Sequence, residues 1–262
     1  MDVYDKAYYE GKRHTQVTPV DEIRRFDLHW WANRYYARLC RRYLRRSGER
    51  RFLELGCAHG YLLAWLQRAA ECYGVDVSDY AVERSRTVCP LARTALMDLE
   101  RERLTDRFPR RSFGVILAKY LLEHLAQPED VVRAAAECLA PRGFFIFAVP
   151  NTRSKLRRLK GPQWIGVRDA THRSVLTSDE WYGLCERSGL QVVRSFSDGF
   201  WDVPYVRHVP RALQLLAFSM PAILEVLLIG QWMPVPLGEN LIVIAQPQPA
   251  DDGTPVKKKD AP

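Results

Sequence analysis

The spacing of apolar positions changes period along the chain. Over residues 21–46, Ile23, Phe26, Trp30, Tyr35, Leu39 and Tyr43 recur at roughly helical intervals between arginines. That predicts an amphipathic helix with one face against a core. Arg41-Arg42 and Arg45-Arg46 fall near its end, where cations favour the helix dipole. Short apolar runs then take over at residues 51–55, 72–77, 94–97, 113–118 and 143–149. Helical stretches separate them at residues 61–70, 80–88 and 128–139, and Pro141-Arg142-Gly143 reads as a turn. Strands alternating with helices predict an α/β fold, a mostly parallel sheet covered on both faces.

After Pro150 the pattern loosens. Residues 153–173 read as an irregular basic segment around Trp164. Residues 178–188 read as a helix with Thr177 or Ser178 as N-cap and Gly189 just past the end. Strands are expected at 190–196 and 240–245. Between them residues 203–237 are unusually apolar for a connection, and Pro210, Pro221, Pro234 and Pro236 predict an interrupted segment rather than one continuous helix. The expected organisation is a helical preface or lid over 1–50, a domain over 51–246 with an apolar insertion at 203–237, and a disordered tail over 247–262.

The 262 residues suit one domain with appendages. Lys and Arg number 39 against 31 Asp and Glu, a formal charge of +8. Such a surface attracts phosphates, nucleic acid or an anionic bilayer, and a merely solvated basic face reads the same way. The six cysteines are scattered, with no C-x-x-C and no Cys/His cluster, which argues against a zinc module and for a reducing compartment. No secretory leader is visible at Met1-Asp2-Val3-Tyr4-Asp5. Residues 212–236, the most apolar stretch, make a poor transmembrane span. A cytoplasmic protein is the expectation.

The chemistry centres on Phe52-Leu53-Glu54-Leu55-Gly56-Cys57-Ala58-His59-Gly60, a strand ending in a glycine turn that leads straight into a helix. Such a turn lets a ligand approach the backbone, and the helix start offers N–H groups. Asp76, at the end of the next strand, is placed to accept both hydroxyls of a ribose. With these residues the sequence resembles the class I S-adenosylmethionine-dependent methyltransferases, in particular the small-molecule methyltransferase group. The resemblance implies a Rossmann-like fold and S-adenosylmethionine as cofactor. It places Glu54, Gly56, Cys57, Ala58 and Gly60 around the methionine part, Asp76 on the ribose, Val77 against the adenine and Asp98 on the adenine amino group. Lys119-Tyr120-Leu121-Leu122-Glu123-His124-Leu125 resembles the family's Leu-Glu-His-Leu sequence, so Lys119 and Tyr120 should line the pocket. Ala58 stands where the family has its middle glycine, on the expectation that this position needs no positive φ. Tyr120 stands where metal-dependent relatives carry a further carboxylate, and Glu123 and His124 alone make a poor magnesium site, so no catalytic metal is expected.

A general base for an acceptor hydroxyl or amine is sought at His124 or at His172, the latter in Arg168-Asp169-Ala170-Thr171-His172-Arg173, which resembles the group's Asp-x-x-His sequence. Either histidine could instead serve structure. Tyr4-Asp5-Lys6-Ala7-Tyr8-Tyr9 resembles the aromatic lead-in that covers the site in many relatives. The expected reaction moves a methyl group to a small-molecule acceptor, an oxygen of a sugar, lipid-linked or secondary metabolite. A dehydrogenase would want a closer Gly-x-Gly-x-x-Gly turn and a Tyr-x-x-x-Lys set. A nucleic-acid methyltransferase of the base-flipping type would want Asn-Pro-Pro-Tyr where Ala118-Lys119-Tyr120 stands. A non-catalytic cofactor-binding scaffold remains the reading from another class. The apolar insertion offers a face for core packing, for a homodimer or for peripheral contact with a membrane.

Overall fold

The computed structural model describes residues 4, 6–9, 28–155, 157–199, 204–206 and 208–248. Seven strands form one sheet in the order β3-β2-β1-β4-β5-β7-β6: β1 (Arg51–Leu55), β2 (Glu71–Asp76), β3 (Arg93–Leu96), β4 (Phe113–Lys119), β5 (Leu139–Pro150), β6 (Leu190–Asp198) and β7 (Asn240–Pro247). The first five are parallel, and β7 runs antiparallel to both β5 and β6. The strand order reverses between β1 and β4, which opens a crevice at their C-terminal ends.

Alternation along the strands divides the core in two. Leu53, Leu55, Ile116, Ala118, Phe145 and Phe147 point to one side, Phe52, Val115, Leu117, Phe144 and Ile146 to the other. The second side packs under α1 (Leu28–Ser47) and α2 (Tyr61–Leu66). In α1 the pairs Tyr35/Tyr36, Leu39/Cys40 and Tyr43/Leu44 are buried at four-residue intervals, as a helix lying on a sheet requires. Ile23 and Phe26, expected on that face, lie outside the described residues. The first side packs under α4 (Pro128–Cys138) and α5 (Ser178–Arg187); α3 (Asp79–Val88) flanks β2 and β3.

Three expectations are corrected. The stretch after Gly60 is helical only to Leu66 and then turns before β2. Strand β5 starts at Leu139 rather than 143. Its register against β4 jumps from Phe113↔Leu139 to Val115↔Phe144, so Pro141-Arg142-Gly143 is an irregularity within the strand. Finally, residues 203–237 are interrupted as expected, with α6 (Arg211–Leu228) beginning after Pro210 and ending before Pro234 and Pro236, but Pro221 does not break the helix. Pro221 removes one backbone donor, but side chains secure both ends of this helix. Gln214 bonds Tyr205, Val206 and Val209, and Arg38 of α1 donates to the carbonyls of Val226 and Leu227.

Helix α5 starts in a capping box: Thr177 Oγ1 accepts from Glu180 N at 3.3 Å, and Glu180 Oε2 accepts from Thr177 N at 2.7 Å. Past its end Gly189 sits at φ 77°, where glycine avoids the strain of a side chain. Thr177→Ala should therefore cost about 1 kcal/mol in urea unfolding; an unchanged midpoint would show that the cap adds nothing to stability.

Candidate functional site

The crevice holds a cavity of about 400 Å³, lined by Tyr4, Tyr8, Tyr9, Asn33, Glu54, Gly56, Cys57, Ala58, Asp76, Val77, Asp98, Lys119, Tyr120 and His124, among others. That size suits a cofactor-scale ligand. Nearly all the residues expected at the cofactor line it; Gly60 stands just behind, at the start of α2.

Asp76 organises the glycine turn. Its Oδ2 accepts from Ala58 N at 2.8 Å and its Oδ1 from Ser78 N at 3.0 Å, while Gly56 N and Cys57 N both donate to Val75 O. Burial raises the Asp76 carboxyl pKa, and these backbone donors oppose the shift. Ala58 corrects the sequence expectation: it adopts φ 45°, in the left-handed region. Turning its N–H onto Asp76 accompanies that conformation, which costs a non-glycine residue roughly 1 kcal/mol. Gly56 and Gly60 also lie at positive φ, and a Cβ on Gly60 would come within 2.5 Å of Cys89 Sγ.

Glu54 and Lys119 occupy the last inward positions of β1 and β4 on the α1 side of the sheet, where alternation would otherwise place core residues. Lys119 Nζ donates to Asn33 Oδ1 of α1 at 2.6 Å. Glu54 is 3% exposed, and its Oε2 has no hydrogen-bond partner among the described residues. Burial pushes its carboxyl up to about 8 against the pull of Lys119, whose ammonium is itself shifted down by burial. Asn33 escaped the sequence reading; its signal is a lone amide on the buried face of an amphipathic helix.

Tyr120, directly after β4, has φ 53°, a strained conformation for an aromatic residue at a ligand pocket. Val77 is 40% exposed in the cavity wall. Asp98 accepts from Glu100 N and pairs with Arg101 at 3.5 Å. The Tyr9 hydroxyl donates to Asp76 Oδ1 at 3.4 Å and its ring packs 4.7 Å from that of His59. The tyrosines of the N-terminal segment thus line the cavity beside the glycine turn; Asp5 lies outside the described residues.

At the other end of the cavity stands a histidine cluster. His124 Nδ1 lies 2.9 Å from Thr171 Oγ1, which donates to Asp169 Oδ1 at 2.6 Å. His172 Nδ1 lies 3.1 Å from Gly166 O, and its Nε2 is 3.8 Å from Asp169 Oδ2. Burial alone would raise the Asp169 carboxyl, but two bonds from Thr171 and the nearby imidazoles outweigh it and hold the carboxyl below its usual range. His124 lines the cavity, and His172 is not among the lining residues. The expectation of no metal rested on Glu123 and His124 standing alone. The fold brings His172 to them, with one ligand atom of each within 4.8 Å of the others. Glu123 is buried, and its carboxyl rises to about 8 for that reason. Asp169 was visible in the sequence as the Asp of the Asp-x-x-His resemblance, Thr171 only as a neighbour of His172.

The family described as Methyltransferase domain matches residues 28–195. A "Ubiquinone biosynthesis O-methyltransferase" of Neisseria meningitidis serogroup A is 28% identical over 153 residues, covering 55% of this chain and 64% of that protein. The protein of the same description from Idiomarina loihiensis is 31% identical over 110 residues, covering 40% of this chain and 44% of its own length. The chain thus matches less than two thirds of the length of these curated relatives. Among solved structures, a SAM dependent methyltransferase from Archaeoglobus fulgidus superposes with a TM-score of 0.56 at 15% identity, covering 82% of this chain and 94% of that one. An S-adenosylmethionine dependent methyltransferase from Mesorhizobium loti gives 0.55 at 19% identity, covering 84% and 98%. The fold is therefore the Rossmann-like one of these enzymes. With the family matched over more than half its length, the chain belongs to the methyltransferase-domain family.

Proposed function

We propose that the chain transfers a methyl group from S-adenosylmethionine to an oxygen of a small-molecule acceptor, with His124 as the general base. The observation that carries this reading is the His124–Thr171–Asp169 chain at the end of the cofactor cavity.

The cavity fits the cofactor on its own chemistry. Glu54 Oε2 is a buried acceptor lacking a partner among the described residues, suited to a cationic amino group. Asp76, fixed by two backbone N–H groups, accepts a third, longer bond from the Tyr9 hydroxyl, and a ribose hydroxyl would take its remaining acceptor site or that of Tyr9. Val77 supplies an apolar contact for a base, and Asp98 an acceptor beside it. Lys119 and Asn33 form a polar wall under the methionine end. When bound, S-adenosylmethionine supplies an electrophilic methyl group on a sulfonium.

Proton counting assigns the histidines. Thr171 has one hydroxyl proton and gives it to Asp169. At His124 the same oxygen must accept, so His124 carries its proton on Nδ1 and Nε2 is its basic nitrogen. Gly166 O can only accept, which fixes the His172 proton on Nδ1 and turns its Nε2 toward Asp169. His124 can take the acceptor's proton, and His172 with Asp169 stabilises the resulting charge. The tyrosines of the N-terminal segment exclude water from the reacting centre. The O-methyltransferase relatives support oxygen as the atom methylated.

A second reading comes from Glu123, His124 and His172 together: a cation held there would polarise the acceptor and replace the base. Two imidazoles and a carboxylate suit a transition metal better than magnesium.

Incubation with methyl-labelled S-adenosylmethionine and fractionated cell extract should yield a labelled small molecule, identified by mass. Cofactor binding with no labelled product from any fraction would leave a binding scaffold. Asp76→Ala should weaken S-adenosylmethionine binding by about one to two orders of magnitude in calorimetry, and Asp76→Asn by less; unchanged affinity would end the ribose assignment. With the identified acceptor, His124→Ala should lower kcat by about a hundredfold or more at unchanged cofactor affinity, and His172→Ala by less. Wild-type turnover in His124→Ala would remove it as the base. Turnover that a chelator abolishes and a divalent transition metal restores would favour the cation.

A further inference from the structure

Helix α6 is amphipathic in the inverse sense. Two of its polar residues are buried: Gln214 is bonded to the segment before the helix, and Glu225 is 2% exposed. Four of its leucines are exposed. Leu213 is 57% exposed, Leu224 47%, Leu227 46% and Leu228 66%, and Trp232 beyond the helix is 50% exposed. Leu213, Ala217, Leu224 and Leu228 follow at intervals of four, seven and four, which draws one line along the helix. Exposed leucines gathered into a line next to a tryptophan mark an interaction face rather than scattered surface residues.

The charges around this line select the occupant. Glu225 is the helix's one acidic residue, and burial raises its carboxyl to about 8, so little negative charge attends the exposed face. At the C-terminal end Arg38 caps the carbonyls of Val226 and Leu227, Arg42 follows one turn on along α1 in an exposed position, and Arg194 donates to Gln231 O at 2.8 Å. At the other end Lys160 lies 5.4 Å from the ring centroid of Tyr205, the residue whose N–H bonds Gln214. An apolar line with cations at both ends and a tryptophan at one matches an anionic bilayer surface, with leucines among the acyl chains and cations at the headgroups. A second copy fits worse, because a two-fold pairing of this face sets cations against cations. Among the described residues no helix is long and apolar enough to cross a membrane, so the helix would lie in the interface.

We propose that the outward face of α6, with Trp232 and the flanking arginines, binds the surface of an anionic lipid bilayer. The inference does not rest on methyl transfer, and its test reads binding alone. The full chain is sedimented with phosphatidylcholine vesicles with and without phosphatidylglycerol. The chain should pellet with the anionic vesicles and be released by salt. Leu224→Glu/Leu228→Glu should lower partitioning by about tenfold or more, and Arg42→Glu should lower it to a smaller extent. Leu228→Gln, at the most exposed of these positions, is a second variant in case the double one melts early. Brominated lipids should quench tryptophan fluorescence of the wild type more than that of Trp232→Ala. Failure to pellet with either vesicle would overturn the proposal, as would pelleting of the leucine variants at the wild-type level. A dimer in light scattering that Leu228→Gln converts to monomer would give the face to a second copy instead.

Discussion

The carboxylate of Asp76 ties the end of one strand to the turn after another. One oxygen takes the N–H of Ala58 and the other that of Ser78, so a single buried group fixes the glycine turn and the start of α3. A buried carboxylate is costly unless hydrogen-bonded, and here the compensation comes from backbone donors that would otherwise lack partners. The turn can adopt this form because Gly56, Ala58 and Gly60 all take positive φ. The strain at Ala58 is small beside a charge-assisted hydrogen bond of about 1.5–3 kcal/mol. The crevice itself follows from strand order, but its shape at the cofactor end follows from this carboxylate.

The second polar system, at the opposite end of the cavity, obeys a different constraint. Asp169, Thr171, His124 and His172 come from two loops beyond β4 and β5, and Glu123 joins them through its carbonyl, which accepts from Arg173 N and Ser174 N. Those two backbone bonds fasten one loop to the other and bring the histidine rings to 4.8 Å. The Thr171 hydroxyl links His124 to Asp169, while His172 is held separately by Gly166 O.

The sheet was legible because alternation and strand–helix spacing survive in a single sequence. Phe52/Leu53 and Phe144/Phe145 point to opposite faces as period two requires. The residues expected at the cofactor line one cavity because they sit at strand ends, which the alternation of strands and helices makes visible in a sequence. What escaped depended on partners distant along the chain. Ala58 takes a left-handed conformation beside a carboxylate eighteen residues away. Asn33 acquires its role from Lys119, 86 residues on. Pro221 argued for a broken helix, since propensity counts the lost donor and is blind to Arg38 and Gln214 holding the ends. Thr171, and the link it makes from Asp169 to His124, appear only when the fold sets the two loops side by side.

Helix α1 links these regions mechanically. Asn33 reaches the cavity through Lys119, Tyr36 donates to Asp198 Oδ2 at the end of β6, and Tyr35 donates to Gly230 O just past α6. Two turns on from Tyr36, Tyr43 donates to Gln231, and Arg38 caps α6 from the same helix. These contacts gather polar groups beneath the C-terminal end of α6. The space beneath it already holds the polar ends of α1 tyrosines and the buried Asp198, so Glu225 and Gln231 share a polar layer there. Of these, Gln231 is the acceptor for the Tyr43 hydroxyl, and a leucine in its place would leave that hydroxyl without its partner, at a cost of roughly 1–3 kcal/mol. The exposed leucines at the end of α6 thus stand above a polar layer, and α1, which supplies much of that layer, also lines the cofactor cavity.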